Sequence, residues 1–330
     1  MVAGHETRAC RPGNHEKPVG QMHSIFAPAS PEAAAVTRLW WWMFGAGLII
    51  WLGVATVAVR AALAKSGDAS RDVIRDTPAV VRRAERIVIA AVLATAIVLA
   101  AVLVYSFAVG HALAQHDADR LVIEVTGHRW WWEVRYSSAD PTKLVTTANE
   151  IHVPVGVPIH LRLASDDVIH SFWAPNLNGK SDLIPGYRSA LWFRADTPGV
   201  YRGQCAEFCG LAHAKMAFFV VAQPKADYNA WLAKTSQPAE PPTDAEAARG
   251  DTVFMRNGCP LCHRIAGTDA GGAAAPDLTH VAARRTLAAG VLDNTPENLA
   301  RWIFDPSVIK PGARMPAFHL SAADMRALVA

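Results

Sequence analysis

The sequence predicts a multidomain chain: a two-helix transmembrane hairpin, an antiparallel β-sandwich or barrel, and a small, mostly helical C-terminal domain. Three observations predict it. Two long uncharged apolar runs lie near the N-terminus. Residues 120–222 then switch to short β-branched and aromatic runs separated by turns. A Pro/Ala/Glu-rich stretch, residues 236–248, precedes a helical pattern over 249–330. At 330 residues there is room for two or three domains, and hydrophobic residues make up 51% of them. The net charge of +3 gives no reason to expect nucleic-acid binding.

Residues 1–38 are polar and mixed, with Pro12, Pro18, Pro28 and Pro31 and no apolar core of the signal-peptide kind. This stretch is expected to be largely disordered, with Met22 as an alternative start, and Cys10 lacks the apolar run that a lipid-attachment cysteine needs. Leu39–Val59 follows, 21 residues without a charge; as a helix it spans about 32 Å, against a hydrocarbon core of about 30 Å. Ile87–Val109 is a second uncharged run, of 23 residues. Buried core helices rarely run so long without a polar face, and Trp40, Trp41 and Trp42 suit a membrane interface. Hairpin boundaries of 39–110 follow. The loop between, 60–86, holds seven basic side chains (Arg60, Lys65, Arg71, Arg75, Arg82, Arg83, Arg86) against four acids. It is expected in the cytoplasm, with the N-terminus and everything after residue 110 outside. Membrane lipid is therefore a partner.

An external β domain is expected over 111–235, from runs such as LVIEVTGHRWWWEVRY, SALWFRAD and AFFVVAQP. Residues 236–248 read as a linker.

Four of the five cysteines form two close pairs, Cys205/Cys209 and Cys259/Cys262, which read as metal or haem sites rather than a disulfide framework. Around the first pair, GQCAEFCGLAHAKM spaces Cys205, Cys209, His213 and Met216 by 4, 4 and 3, and His170 lies 35 residues before Cys205. The same spacing fits one face of a helix. Gly203, Gly210 and the β-type flanks argue against that, and an apolar stripe needs neither two thiols nor an imidazole. Thiolate and thioether are soft ligands that suit copper, and structural zinc sites rarely include methionine. Two cysteines in one loop can bridge two copper ions.

The second pair lies in Cys259-Pro-Leu-Cys-His263, the C-x-x-C-H pattern of covalent haem c attachment. A redox C-x-x-C is the alternative. Gly-Ala-Arg-Met315-Pro supplies a methionine before a proline, and His/Met ligation raises a haem potential. Met255 lies too close to the attachment site, and Met325 falls in a terminal helical pattern, so Met315 is the preferred axial ligand.

DVIHSFWAPNLNGKSDLIPG followed by PGVYRGQCAEFCGLAHAKM resembles the copper-A region of bacterial cytochrome c oxidase subunit II, over about 35–222 with the hairpin. The resemblance implies a cupredoxin-like fold for the β domain. It also implies that Cys205 and Cys209 bridge the two coppers, with His170, His213, Met216 and the Glu207 carbonyl as further ligands. By the same resemblance the Glu207 carboxylate binds magnesium at a subunit I interface, and a carboxylate suits that hard cation. Trp130 takes the place of the electron-entry aromatic; strand alternation puts it and Trp132 on one side and Trp131 on the other. His128 matches a family position, where a structural hydrogen bond is an equal reading. Glu85 is either a solvated flank or the entrance of a proton path into subunit I.

The C-terminal part is similar to small class I cytochromes c, including Ala-Pro276-Asp-Leu behind the proximal histidine. It departs at the end. The family's last helix, packing near Gly250 and Phe254, is longer than MRALVA allows, so that helix is expected to be short or the sequence truncated.

Together these features imply the electron-input subunit of a haem–copper oxidase. Its partners are subunit I, subunit III and reduced cytochrome c; its cofactors are dinuclear copper A, haem c and magnesium; its place is the bacterial plasma membrane. The whole complex is then a proton-translocating oxidoreductase that reduces oxygen to water, with electron transfer alone in this chain. The small subunit of a copper-A-containing nitric oxide reductase is the alternative. A membrane-tethered copper chaperone would lack the His213/Met216 continuation and any haem, and a quinol oxidase subunit would lack the copper ligands.

Overall fold

The computed structural model describes residues 23–63, 78–114, 121–137 and 144–330. Cys10, Met22 and the loop cations Lys65, Arg71 and Arg75 lie outside them. Two compact units are present, residues 32–118 and the remainder of the chain.

The first unit contains α1, Pro31–Leu63, and α2, Pro78–Ala114. Both continue past the uncharged runs: α1 begins eight residues before Leu39, and α2 begins nine before Ile87, taking in Arg82, Arg83 and Arg86. Nothing in those flanks breaks a helix, and charged side chains suit it once the backbone leaves hydrocarbon. The apolar side chains of both are exposed, among them Trp42 at 76% and Phe107 at 72%. A core helix of a water-soluble protein would be covered, whereas a membrane-spanning one meets lipid.

The second unit starts with a β domain of two five-stranded sheets. Its strands are β1 (Leu121–His128), β2 (Trp131–Tyr136), β3 (Val145–Ala148), β4 (Glu150–Pro154) and β5 (Ile159–Ser165). Then follow β6 (His170–Trp173), β7 (Ser181–Leu183), β8 (Ser189–Phe193), β9 (Gly199–Cys205) and β10 (Ala217–Gln223). One sheet has the order β3-β2-β1-β5-β8, the other β4-β10-β9-β6-β7. The sandwich is not purely antiparallel: β1 pairs with β5, and β4 with β10, in parallel. β3 and β4 belong to different sheets, although only Asn149 separates them. Its φ of 64° makes the corner, a conformation asparagine tolerates. Its side-chain carbonyl accepts from the Trp132 N–H at 2.9 Å, fixing the crossing.

Strand alternation fills the interior. Ile123 and Val125 of β1 and Ile159, Leu161 and Leu163 of β5 are fully buried. Each contributes about 1.5–3 kcal/mol of apolar burial. The same alternation on β9 turns Tyr201, Gly203 and Cys205 inward, so the core pattern itself delivers the first thiol to the domain's interior.

Residues 23–30, part of the stretch expected to be disordered, are bonded to this domain. The Asn176 amide donates to the Ala27 carbonyl at 2.7 Å, the Ala29 N–H donates to the Asn176 carbonyl, and Ala29 is buried in the core. After β10, α3 (Lys225–Thr235) stacks Trp231 on His152 at 4.1 Å.

The last part is helical, with α4 (Ala245–Arg256), α5 (Pro296–Phe304), α6 (Pro306–Ile309) and α7 (Ala322–Val329), and a two-stranded ribbon of β11 (Thr286–Leu287) and β12 (Leu292–Asp293). α4 starts inside the stretch read as linker, because Asp244 caps it by accepting from the Ala247 N–H. α7 is short yet crosses α4 closely: a methyl on Gly250 would meet the Ala327 carbonyl at 2.0 Å. Only glycine permits that approach.

Candidate functional site

The end of the second sheet gathers the soft donors. β6 pairs with β9, setting Phe172 opposite Cys205, and the Ala206 N–H continues that ladder to the Ser171 carbonyl. His170 at the head of β6 and Cys205 at the end of β9 therefore meet, with the His170 Nδ1 3.8 Å from the Cys205 sulfur. The loop after β9 returns Cys209 to 3.8 Å from Cys205 and the Glu207 carbonyl to 3.2 Å from the same sulfur. A 3-10 turn, His213–Lys215, then brings the His213 Nδ1 to 3.6 Å and the Met216 sulfur to 3.8 Å from Cys209. All six groups singled out in the sequence thus gather along the Cys205/Cys209 pair, His170 and the Glu207 carbonyl at Cys205, and His213 and Met216 at Cys209. The four residues spaced 4, 4 and 3 come from the end of β9, the loop after it and a single 3-10 turn with its cap, not from one helix.

The donor set fits copper. His170 and Met216 are fully buried, and Cys205 and Cys209 nearly so. Among the described residues, His170, Cys205 and Cys209 are the one group of histidine, cysteine and acidic side chains whose ligand atoms converge, all within 4.8 Å. The Cys209 thiol alongside holds Cys205 down, to about 4, against the opposing effect of burial, while Cys209 itself is pushed up by that neighbour. A thiolate is the form that binds metal.

Two supporting residues escaped the sequence reading. The Asp167 Oδ1 lies 2.9 Å from the His170 Nε2, fixing the tautomer that leaves Nδ1 facing Cys205. Asp167 also accepts from the N–H groups of Arg129 and Val168, both at 2.7 Å. An acid three residues before a ligand histidine, in a turn, was the available signal. Gly127 is the other: a methyl there would lie 2.8 Å from the His170 ring, so glycine makes room for the imidazole.

Trp130 sits in the β1–β2 turn, and its Nε1–H donates to the Cys209 carbonyl at 3.0 Å. Trp132 is fully buried, and Trp131 stacks on His128 at 4.3 Å. His128 lies 3.4 Å from Asp166, and burial lowers its pKa. Glu207 is half-buried, and its carboxylate joins no cluster of ligand atoms among the described residues. Glu85 is exposed on α2.

In the helical domain Cys259, Pro260 and Leu261 form a 3-10 turn, and His263 follows it. The His263 Nδ1–H donates to the Pro276 carbonyl at 2.7 Å, leaving Nε2 as the free ligand atom. Burial lowers the His263 pKa, favouring the neutral ring that a metal requires. Arg284 donates to the Asp277 carbonyl, and its buried Nε has no hydrogen-bond partner among the described residues. A haem brings two carboxylates, and a cation with a spare buried donor fits them. Met315 is half-buried in the loop after α6.

The family model for the cytochrome c oxidase subunit II periplasmic domain matches residues 121–223, and that for cytochrome c matches 247–330. The chain carries a cytochrome c oxidase subunit II periplasmic domain. Behind its subunit II domain it carries a cytochrome c domain. It is 41% identical over 213 residues to cytochrome c oxidase subunit 2 of Alkalihalophilus pseudofirmus, covering 64% of this chain and 60% of the relative. Against the same subunit of Bacillus sp. strain PS3 it is 32% identical over 226 residues, covering 65% and 62%. The chain thus spans about three fifths of the length of these curated relatives. A crystal structure of the periplasmic domain of subunit II of cytochrome oxidase from Bradyrhizobium japonicum is 28% identical, covering 37% of this chain and 96% of that one, with a TM-score of 0.34.

Proposed function

We propose that this chain is the electron-input subunit of a plasma-membrane haem–copper oxidase, passing electrons from reduced cytochrome c through its own cytochrome domain and copper domain to subunit I, where oxygen is reduced to water with proton translocation. Bound to these residues, a dinuclear copper centre and a covalent haem c supply one-electron relays. Cys205, Cys209, His170, His213, Met216 and the Glu207 carbonyl would hold the coppers. Cys259 and Cys262 would carry the haem covalently, and His263 and Met315 would supply its iron ligands. Trp130 is the entry residue of the copper domain.

The observation that carries this reading is the gathering of two imidazoles, a thioether and a carbonyl around a close pair of buried thiols. A rigid, buried cage changes little when its charge changes by one, which is what a relay needs. The half-buried Glu207 carboxylate, flanked by Phe208 at 76% exposure, is assigned to magnesium at the subunit I face by resemblance alone. Glu85 is assigned to a proton entrance on the same ground, and subunit III is a further partner. Residues 23–30, just before α1, are bonded to the β domain that follows α2. This supports an outside N-terminus, with the basic connection between the helices inside.

The test is the purified, matured complex. Cys205→Ser or Cys209→Ser should abolish a mixed-valence dicopper signal, and Cys259→Ala should abolish covalent haem, while the unaltered complex consumes oxygen. Turnover of nitric oxide in place of oxygen would assign the complex to the reductase class instead.

A further inference from the structure

The cytochrome domain is fastened to the copper domain by specific bonds as well as by the linker. The Lys215 Nζ donates to the Ile309 carbonyl at 2.5 Å, and the Ala217 N–H donates to the Ala289 carbonyl at 3.0 Å. The Glu150 carboxylate, 3% exposed, accepts from the Arg285 and Thr286 N–H groups at 2.5 and 3.3 Å. Beside them is Lys310, also 3% exposed, on the cytochrome side. Its Nζ donates to the Trp130 carbonyl at 2.6 Å and to the Ala288 carbonyl at 2.9 Å. A lysine is almost never this buried without a purpose for its charge. Here both acceptors are main-chain carbonyls, one from each domain.

The loop that Lys310 begins then runs against the six-membered ring of Trp130. A methyl on Gly312, whose φ is 89°, would lie 3.0 Å from the indole and 3.1 Å from Leu211. Trp130 is left 9% exposed. The same loop reaches Met315 three residues later. One short segment thus holds the buried cation, the cover over Trp130 and the methionine assigned to the haem.

We propose that Lys310 is a positioning residue that clamps the methionine loop of the cytochrome domain onto Trp130, closing this entry point to soluble donors and dedicating it to the attached cytochrome. The clamp itself rests on the interface alone; its consequence for electron flow rests on the functional reading above. In that step one electron leaves the reduced haem iron and enters the copper pair, with no bond made or broken, so the contact between donor loop and indole controls it. A soluble donor then engages the cytochrome domain. Burial brings the Lys310 ammonium down to about 7, consistent with a site built around two neutral carbonyls.

The experiment uses the full chain in its assembled, matured complex and compares wild type with Lys310→Met, which keeps the side chain's bulk and removes its donors. Hydrogen exchange over residues 309–315 should accelerate by roughly tenfold or more, the effect expected when two carbonyls of the interface lose their shared donor. Photoinitiated electron transfer from haem c to copper should slow by roughly tenfold, with the haem optical spectrum and the copper EPR signal unchanged. If Lys310→Met does not assemble, Lys310→Gln, which keeps one donor group, is measured for the same changes at smaller size. Wild-type exchange and wild-type transfer in a variant with both centres intact would overturn the clamp. A wild-type complex with the expected exchange protection but no haem-to-copper transfer would overturn the functional reading and leave the clamp standing.

Discussion

Trp130 is bonded at both of its polar ends: its indole N–H donates to the Cys209 carbonyl at 3.0 Å, and its own carbonyl receives the Lys310 ammonium at 2.6 Å. One residue therefore touches the loop of Cys205 and Cys209 and the loop that leads to Met315. Trp130→Phe removes the indole bond and keeps an aromatic ring. The dicopper signal should persist, while electron entry into copper slows by roughly fivefold, the scale of one lost hydrogen bond of ~1 kcal/mol. Rapid-reaction spectroscopy of the assembled complex checks it; an unchanged rate would remove Trp130 from the path.

Asp167 orients His170 through a 2.9 Å contact to Nε2. Asp167→Ala should lower copper affinity by roughly 10–100-fold, as loss of such outer partners does, without unfolding the sandwich. Competition with a copper chelator reads the affinity. Retention of wild-type affinity would mean that the imidazole is held by packing alone.

Glu150 is the acceptor for two N–H groups of the cytochrome domain, that of Arg285 and the buried one of Thr286. Glu150→Ala leaves them unpaired and should weaken the docking of the two domains by about 1–3 kcal/mol. Glu150→Gln, which retains an acceptor oxygen, should cost less. Hydrogen exchange of residues 285–287 distinguishes the two.

Leu161 is fully buried between the sheets. Leu161→Ala should destabilise the β domain by about 2–5 kcal/mol, visible as a lowered denaturation midpoint, and should leave the haem spectrum as it was.

The Lys310 pKa, about 7 against an ordinary 10.5, sets a pH dependence of known sign. Between those values the undocked lysine holds a proton that the docked one has released, so docking strengthens as pH rises from about 7 towards 10.5 and is weakest below 7. Lys310→Met should lack this component. A wild-type interface whose hydrogen-exchange protection does not change over that window, after correction for the intrinsic exchange rate, would contradict the assignment.

Much of this was legible in the sequence, for a physical reason. Two uncharged runs of membrane length, the period-2 burial of β1, β5 and β9, and the clustering of Cys205, Cys209, His213 and Met216 are all local patterns. Soft donors at close spacing have few other uses. What was not legible depends on contacts between distant residues. Asp167 is an ordinary turn acid until His170 is seen to lean on it. Glu150 and Lys310 lie 135 and 180 residues from the partners that explain their burial. The parallel pairing of β4 with β10 follows from a single asparagine corner, and residues 23–30 read as loose chain because their partner, Asn176, is so far along the sequence.

In the proposed function the cytochrome domain feeds the copper domain of the same chain. This transfer is tested most directly by flash photoreduction of haem c in the assembled complex, followed at the haem and copper bands together. Reoxidation of the haem in step with one-electron reduction of copper, independent of protein concentration, is the predicted result. A haem that stays reduced while copper is filled only by an added soluble donor would contradict it.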